Sequence, residues 1–207
     1  MRLVRSISLI ASLAIVGPVA AQTAGITFGA TPSAFNSGNF ATRGWEFGVS
    51  QSIQVTALGL YDEGGNGFSN SHQIGLWNSS STLLASMVMP TGTTAILGAD
   101  SFRYQNLLSS VVLGAGTYRI GALFDVNDLD FIAFNAAPNG AAGFVTYIGP
   151  RLSSAGFLDP TSVSIISGGA FGPNFLFTTT SVVPEPSSLA LIGLGLGVLA
   201  FARRTRN

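Results

Sequence analysis

Short runs of β-branched and aromatic residues recur through the middle of the chain, separated by clusters of Gly, Asn, Ser and Pro. They fall at 26–28, 44–49, 53–61, 73–77, 83–89, 102–104, 118–124, 131–134, 143–148, 162–166 and 174–179. Strand-length runs at this spacing, bounded by turn residues, predict an all-β sandwich or barrel. Successive side chains of a strand point to opposite faces. Trp45, Phe47 and Val49 therefore share one face of their strand, and Tyr118, Ile120, Ala122 and Phe124 share one face of theirs. No stretch of the middle sustains the roughly 3.6-residue period of an amphipathic helix. The expected body is a single antiparallel β-sandwich, jelly-roll-like, over residues 22–183.

The two ends follow another pattern. Arg2 and Arg5 precede an apolar run at 7–16 and then Pro18, Val19, Ala20 and Ala21, the layout of a signal peptide over 1–21 with cleavage by signal peptidase before Gln22. The apolar run is too short to span a bilayer, which takes about 20 residues. At the other end, Pro184, Glu185 and Pro186 lead into Ser187, Ser188, an apolar run at 189–202, and Arg203, Arg204, Thr205, Arg206 and Asn207. Pro186 bars helix at Glu185, so a helix starts at Ser187 or Ser188 with a serine cap. From 187 to 202 such a helix rises roughly 24 Å, a little short of a hydrocarbon core of about 30 Å. The arginines beyond it hold the terminus on the cytoplasmic side. This predicts an exported protein whose C-terminal transmembrane helix tethers it to the inner membrane transiently, or as a permanent single-pass anchor. Gly193, Gly195 and Gly197 within that helix are either a small-residue dimer face or part of a weakly hydrophobic sorting helix.

The triplet Pro184, Glu185, Pro186, the short apolar helix and the cluster Arg203, Arg204, Arg206, paired with a signal peptide, resemble the PEP-CTERM sorting signal of exosortase substrates over residues 184–207. The resemblance implies that a membrane-embedded transpeptidase, the exosortase, cuts near the triplet. The protein would then be delivered to the surface of a Gram-negative, exopolysaccharide-producing bacterium. A second resemblance rests on Trp45-Glu46-Phe47, the run 55–62, Gly64-Gly65-Asn66-Gly67, and His72-Gln73-Ile74-Gly75-Leu76-Trp77. These are similar to secreted β-sandwich domains of unassigned function common among PEP-CTERM proteins. That similarity implies a fold more than an activity.

Composition narrows the function classes. Only 9% of the 207 residues are charged and the formal net charge is zero, against about 25% charged in an average domain. With 47% apolar residues the chain is not a charge-driven disordered one. No basic excess exists to neutralise phosphates, so nucleic acid is not an expected partner. The absence of cysteine removes disulfides, thiolate zinc sites and thiol catalysis. Five of the nine arginines lie in the terminal segments; the body's four cations against eight anions leave a net −4. A surface solvated by hydroxyls and amides suits life among polysaccharide.

Candidate chemistry is sparse. His72 is the only histidine, and no nucleophile elbow surrounds any serine, so a hydrolase triad is not expected and His72 reads as a structural residue on a strand edge. Zinc lacks ligands on the same ground. Glycosidase chemistry needs two convergent carboxylates, for which Glu46 with Asp62 or Glu63 is the available set. The segment from Asp125 to Asp130 places side-chain oxygens at Asp125, Asn127, Asp128 and Asp130, a speculative calcium set that departs from the EF-hand spacing. Otherwise it is a solvated turn, and otherwise no cofactor is expected. Asp62 to Gly67 is a second acidic loop whose glycines supply the positive-φ positions of a turn. Among the aromatics Trp77, beside Asn78 and three serines, is the one expected to reach the surface as a sugar-stacking platform. The expected role is a non-enzymatic, exosortase-processed surface or matrix protein associated with exopolysaccharide and biofilm. The alternatives are a carbohydrate-binding module or a carboxylate-dependent glycoside hydrolase.

Overall fold

A computed structural model of the chain describes residues 21–36, 40–164 and 170–179. Among them, β1 (Thr23–Ala24), β16 (Pro173–Thr179), β5 (Ile53–Tyr61), β9 (Phe102–Leu113) and β8 (Ile96–Leu97) lie in that order in a five-stranded sheet. A six-stranded sheet runs β14 (Ser162–Val163), β13 (Val145–Ser153), β4 (Ala41–Val49), β10 (Gly116–Phe124), β6 (His72–Asn78), β7 (Leu83–Met89). Two smaller sheets, β15 (Ala170–Phe171) with β11 (Phe131–Phe134) and β3 (Ser33–Asn36), and β12 (Pro138–Gly140) with β2 (Ile26–Phe28), complete the body. Every pairing is antiparallel. The chain crosses repeatedly between the two large sheets, so the all-β sandwich expected from the alternation is the architecture found.

The predicted faces become the core. Trp45 and Phe47 of β4, Ile120, Ala122 and Phe124 of β10, and Ile74 and Leu76 of β6 are all fully buried. They meet Phe175 and Phe177 of the opposite sheet, with Trp45 stacked on Phe175 at 5.8 Å and Phe47 against Phe175 at 5.0 Å between ring centroids. Trp45 also donates its indole N–H across the gap to the Pro173 carbonyl at 2.7 Å, so the largest core side chain leaves no buried donor unpaired. Buried Asn174 donates to the Ile26 carbonyl and to the Tyr104 hydroxyl, both at 2.9 Å, and accepts from the Ile26 and Phe175 N–H groups.

The strands at 26–28, 53–61, 83–89 and 131–134 fall where the pattern placed them. β9 runs far beyond the expected 102–104 because the polar pairs Gln105-Asn106 and Ser109-Ser110 and a bulge at 107–110 break the alternation while the ladder with β5 continues. The predicted signal helix within 1–21, apart from Ala21, and the sorting helix at 187–202 lie outside the described residues. Among the described residues no helix is long and apolar enough to cross a membrane.

Candidate functional site

The two acidic loops singled out in the sequence are neighbours in space. β5 ends at Tyr61 and turns through Asp62 and a single helical turn, Glu63–Gly65, toward Phe68 and the start of β6. Gly64, Gly65 and Gly67 all take positive φ. Gly67 has a second reason to lack a side chain, since a Cβ there would sit 2.5 Å from the Gly92 carbonyl carbon, where residues 68 and 92 form a β-bridge. The other loop, residues 125–130, joins β10 to β11. Together the loops line a cavity of about 70 Å³ that includes Asp62, Glu63, Asn66, Leu129 and Asp130.

Two buried cations hold this end closed. Arg103, on β9 and 5% exposed, donates its Nε–H to Asp62 and its terminal N–H groups to the carbonyls of Ala95 (2.9 Å), Gly65 (2.8 Å) and Thr93 (3.3 Å). The second cation is His72, which begins β6 on its inward face, 1% exposed, between the rings of Phe68 and Phe124. Its Nδ1 lies 3.0 Å from the Leu123 carbonyl and its Nε2 lies 2.8 Å from Asp130 Oδ2. A carbonyl only accepts, so Nδ1 carries a proton. Asp130 also accepts the Ser69 and Asn70 N–H groups at 2.8 and 3.0 Å, which favours its carboxylate form and with it a proton on Nε2. With both nitrogens protonated, the ring is an imidazolium whose two N–H groups each meet an acceptor.

The electrostatics agree. Burial by itself would lower the His72 pKa; the bonds to Asp130 and the Leu123 carbonyl and the charges of Asp128 and Asp130 outweigh it and leave the group raised above its ordinary value. Burial would likewise raise Asp130, but His72 and the two N–H donors hold it below the usual carboxylate range. Asp128, 3% exposed, completes the cluster: its Oδ2 lies 3.5 Å from His72 Nδ1, and its Oδ1 accepts from the Asp130 N–H at 2.9 Å and from Asn70 at 3.3 Å.

The speculative calcium set is thereby split. Asp125, Asn127 and Asp128 line a pocket of about 290 Å³ with Asn70, Ser71 and Leu123, whereas Asp130 turns away to His72. Asp125 and Asn127 are exposed, and Asp125 Oδ1 accepts the Val126 N–H. His72, Asp128 and Asp130 offer ligand atoms within 4.8 Å of one another. His72 Nδ1 faces the Leu123 carbonyl and Nε2 faces Asp130, and a ring protonated at both nitrogens has no lone pair for a metal, so a proton and a metal ion compete for this cluster.

Trp77 corrects the expectation of a surface platform: it is 4% exposed. On β6 the even positions His72, Ile74 and Leu76 face the core, which leaves Gly75 and Trp77 on the outer face of the sheet. Phe157, arriving from far along the chain, covers the indole there at 5.3 Å. Gly75 clears the space, since a Cβ at that position would lie 2.4 Å from the Trp77 ring. The same outer face carries Glu46 between Arg119 (3.2 Å) and Arg151, with Asp159 gripping Arg119 at 2.6 Å. Glu46 therefore lies on the six-stranded sheet and is held by arginines, while Asp62 and Glu63 follow a strand of the other sheet, so the glycosidase set is not brought together.

The sorting residues Pro184, Glu185, Pro186, Arg203, Arg204 and Arg206 lie outside the described residues, and comparison with known proteins bears on them directly. Residues 182–207 match the PEP-CTERM protein-sorting motif. No curated protein matches the chain. The motif makes this an exported protein targeted to exosortase, with a cell-surface or extracellular destination.

Proposed function

Starting from a chain addressed by the PEP-CTERM protein-sorting motif, we propose that the body is a non-catalytic surface or matrix module. An exosortase cuts it near Pro184, Glu185 and Pro186, and the released β-sandwich resides among extracellular polysaccharide. The sorting motif at 182–207 is the observation that carries this reading. The chemistry of the body supports it. General acid–base catalysis at neutral pH needs a group free to exchange a proton with substrate, and the single histidine is sealed in the interior with both ring nitrogens engaged. Asp62 and Glu46 are likewise held by arginines.

Mass spectrometry of the protein recovered from the surface or medium tests the processing step. The expected C-terminus lies close to Pro186 and lacks the arginine tail, and the uncut chain accumulates in the membrane fraction of a strain without exosortase. A surface form that still ends at Asn207 contradicts the proposal. Residence in the matrix is tested by digesting the polysaccharide, which is expected to release the processed protein.

A further inference from the structure

The described residues hold four arginines, and three of them grip carboxylates. Arg103 meets Asp62, Arg151 meets Glu46, and Arg119 holds Asp159 side-on, with Nε–H on one oxygen at 2.7 Å and Nη2–H on the other at 2.6 Å. Arg43 is the exception. It lies on β4 between Ala41 and Trp45 on the inward face, 8% exposed, and its Nε is buried without a hydrogen-bond partner. Across the ladders it stands opposite Ala122 of β10 and Leu152 of β13. β15, which packs against β4, contains no charged residue, and neither do its sheet partners β11 and β3. Among the described residues no carboxylate pairs with the Arg43 guanidinium.

A guanidinium cannot shed its proton to escape burial, as a lysine or histidine can. Burial is what acts on Arg43, pulling its pKa below the ordinary arginine value, whereas the bond from Asp159 above all, with help from Glu46, raises that of Arg119. A charge buried without a partner is costly, and an apolar side chain of similar length would be free of that cost. The unengaged Nε belongs to the same guanidinium edge that Arg119 presents to Asp159. That edge takes the two oxygens of one planar anion in parallel N–H···O bonds. We infer that Arg43 is a binding site for a carboxylate from outside the chain, held side-on along this edge. The apolar neighbours Ala41, Ala122 and Leu152 keep the local dielectric low, which strengthens such bonds. The carboxylate is either free or carried by a sugar acid of the surrounding polysaccharide, and its chemistry at Arg43 is the same in both cases. Exosortase processing neither requires this site nor supplies it.

The ¹⁵N-labelled full chain in detergent is titrated with sodium acetate, the minimal carboxylate, and with acetamide as its uncharged isostere, while the arginine Nε–H signals are followed by NMR. The expected result is that acetate shifts one signal to saturation, the one missing from Arg43→Lys, and that acetamide leaves it in place. Arg43→Met is expected to melt no lower than the parent without acetate, and only the parent gains melting temperature at saturating acetate. A polygalacturonate column separates the two sources. Retention that Arg43→Met loses assigns the carboxylate to an acidic glycan, and free passage of a protein that binds acetate assigns it to a small molecule. No saturating shift at Arg43, an equal shift with acetamide, an equal acetate response in Arg43→Met, or an Arg43→Met that melts well below the parent without acetate would each overturn the inference. The last would show that the chain itself supplies the partner.

Discussion

Arg103 and His72 bury a cation beside a carboxylate at the same end of the sandwich, yet they bind different numbers of partners under different conditions. The guanidinium reaches Asp62 and three backbone carbonyls, tying the turn after β5 to the segment before β8. An arginine keeps its charge at any pH a cell meets. The His72 ring bonds to Asp130 and to the Leu123 carbonyl and lies 3.5 Å from Asp128, tying the start of β6 to the end of β10 and the loop that follows, and histidine is the side chain that changes charge near neutrality. One clasp is permanent and the other depends on a proton. An acidic end built this way keeps its frame while the 125–130 loop answers to pH.

The largest expected effect comes from breaking the permanent clasp. Arg103→Met leaves Asp62, 2% exposed, without its cation, and removing one partner of a buried pair costs about 3–5 kcal/mol. Chemical denaturation is expected to show that loss, and a loss below about 1 kcal/mol would mean that Asp62 is served by its backbone bonds alone. His72→Gln is expected to cost less, about 2–3 kcal/mol, because Asp130 retains two backbone N–H donors. Amide exchange in that variant should rise in residues 69–72 and 125–130 rather than around Arg103. If protection is lost equally at both clasps, they are not separate devices.

The pH dependence is subtler and its sign follows from the two shifts. The His72 pKa is raised on folding, so its contribution is complete below the unfolded value of about 6.5 and is lost as pH climbs through the folded value. The Asp130 pKa is lowered, so its contribution is complete above about 3.9 and is lost as pH falls through the folded value. The pair therefore stabilises most between about pH 4 and about pH 6.5. Denaturation midpoints measured from pH 5 to pH 9 are expected to decline on the alkaline side in the parent and to flatten in His72→Gln. An equal decline in both would assign the effect to other groups.

Much of this end could be read from residues in order, and its chemistry could not. Ile53 to Tyr61 and Leu83 to Met89 announced themselves as strands because burial and β-propensity act on neighbouring positions. The glycines at 64, 65 and 67 announced a turn because only glycine takes those angles without strain. The partnership of His72 with Asp130 joins residues from separate loops, and nothing local to either marks it. Trp77 misled for the same reason. Its own neighbours are polar, and the ring that covers it belongs to Phe157. The far half of β9 escaped because polar residues such as Gln105, Asn106, Ser109 and Ser110 erase the alternation in a strand that bulges away from its partner.

The reading of the body as structural is supported by its single histidine being buried with both ring nitrogens engaged, in an environment that favours the protonated ring. Because the chain contains a single histidine, a ¹⁵N-labelled sample gives one imidazole to follow by NMR as pH is varied. The account predicts two protonated ring nitrogens at pH 6, slow to exchange with water, and a titration midpoint above the ordinary value of about 6.5. A midpoint at or below that value, or an unprotonated ring nitrogen at pH 6, would contradict it and return His72 to the residues available for chemistry.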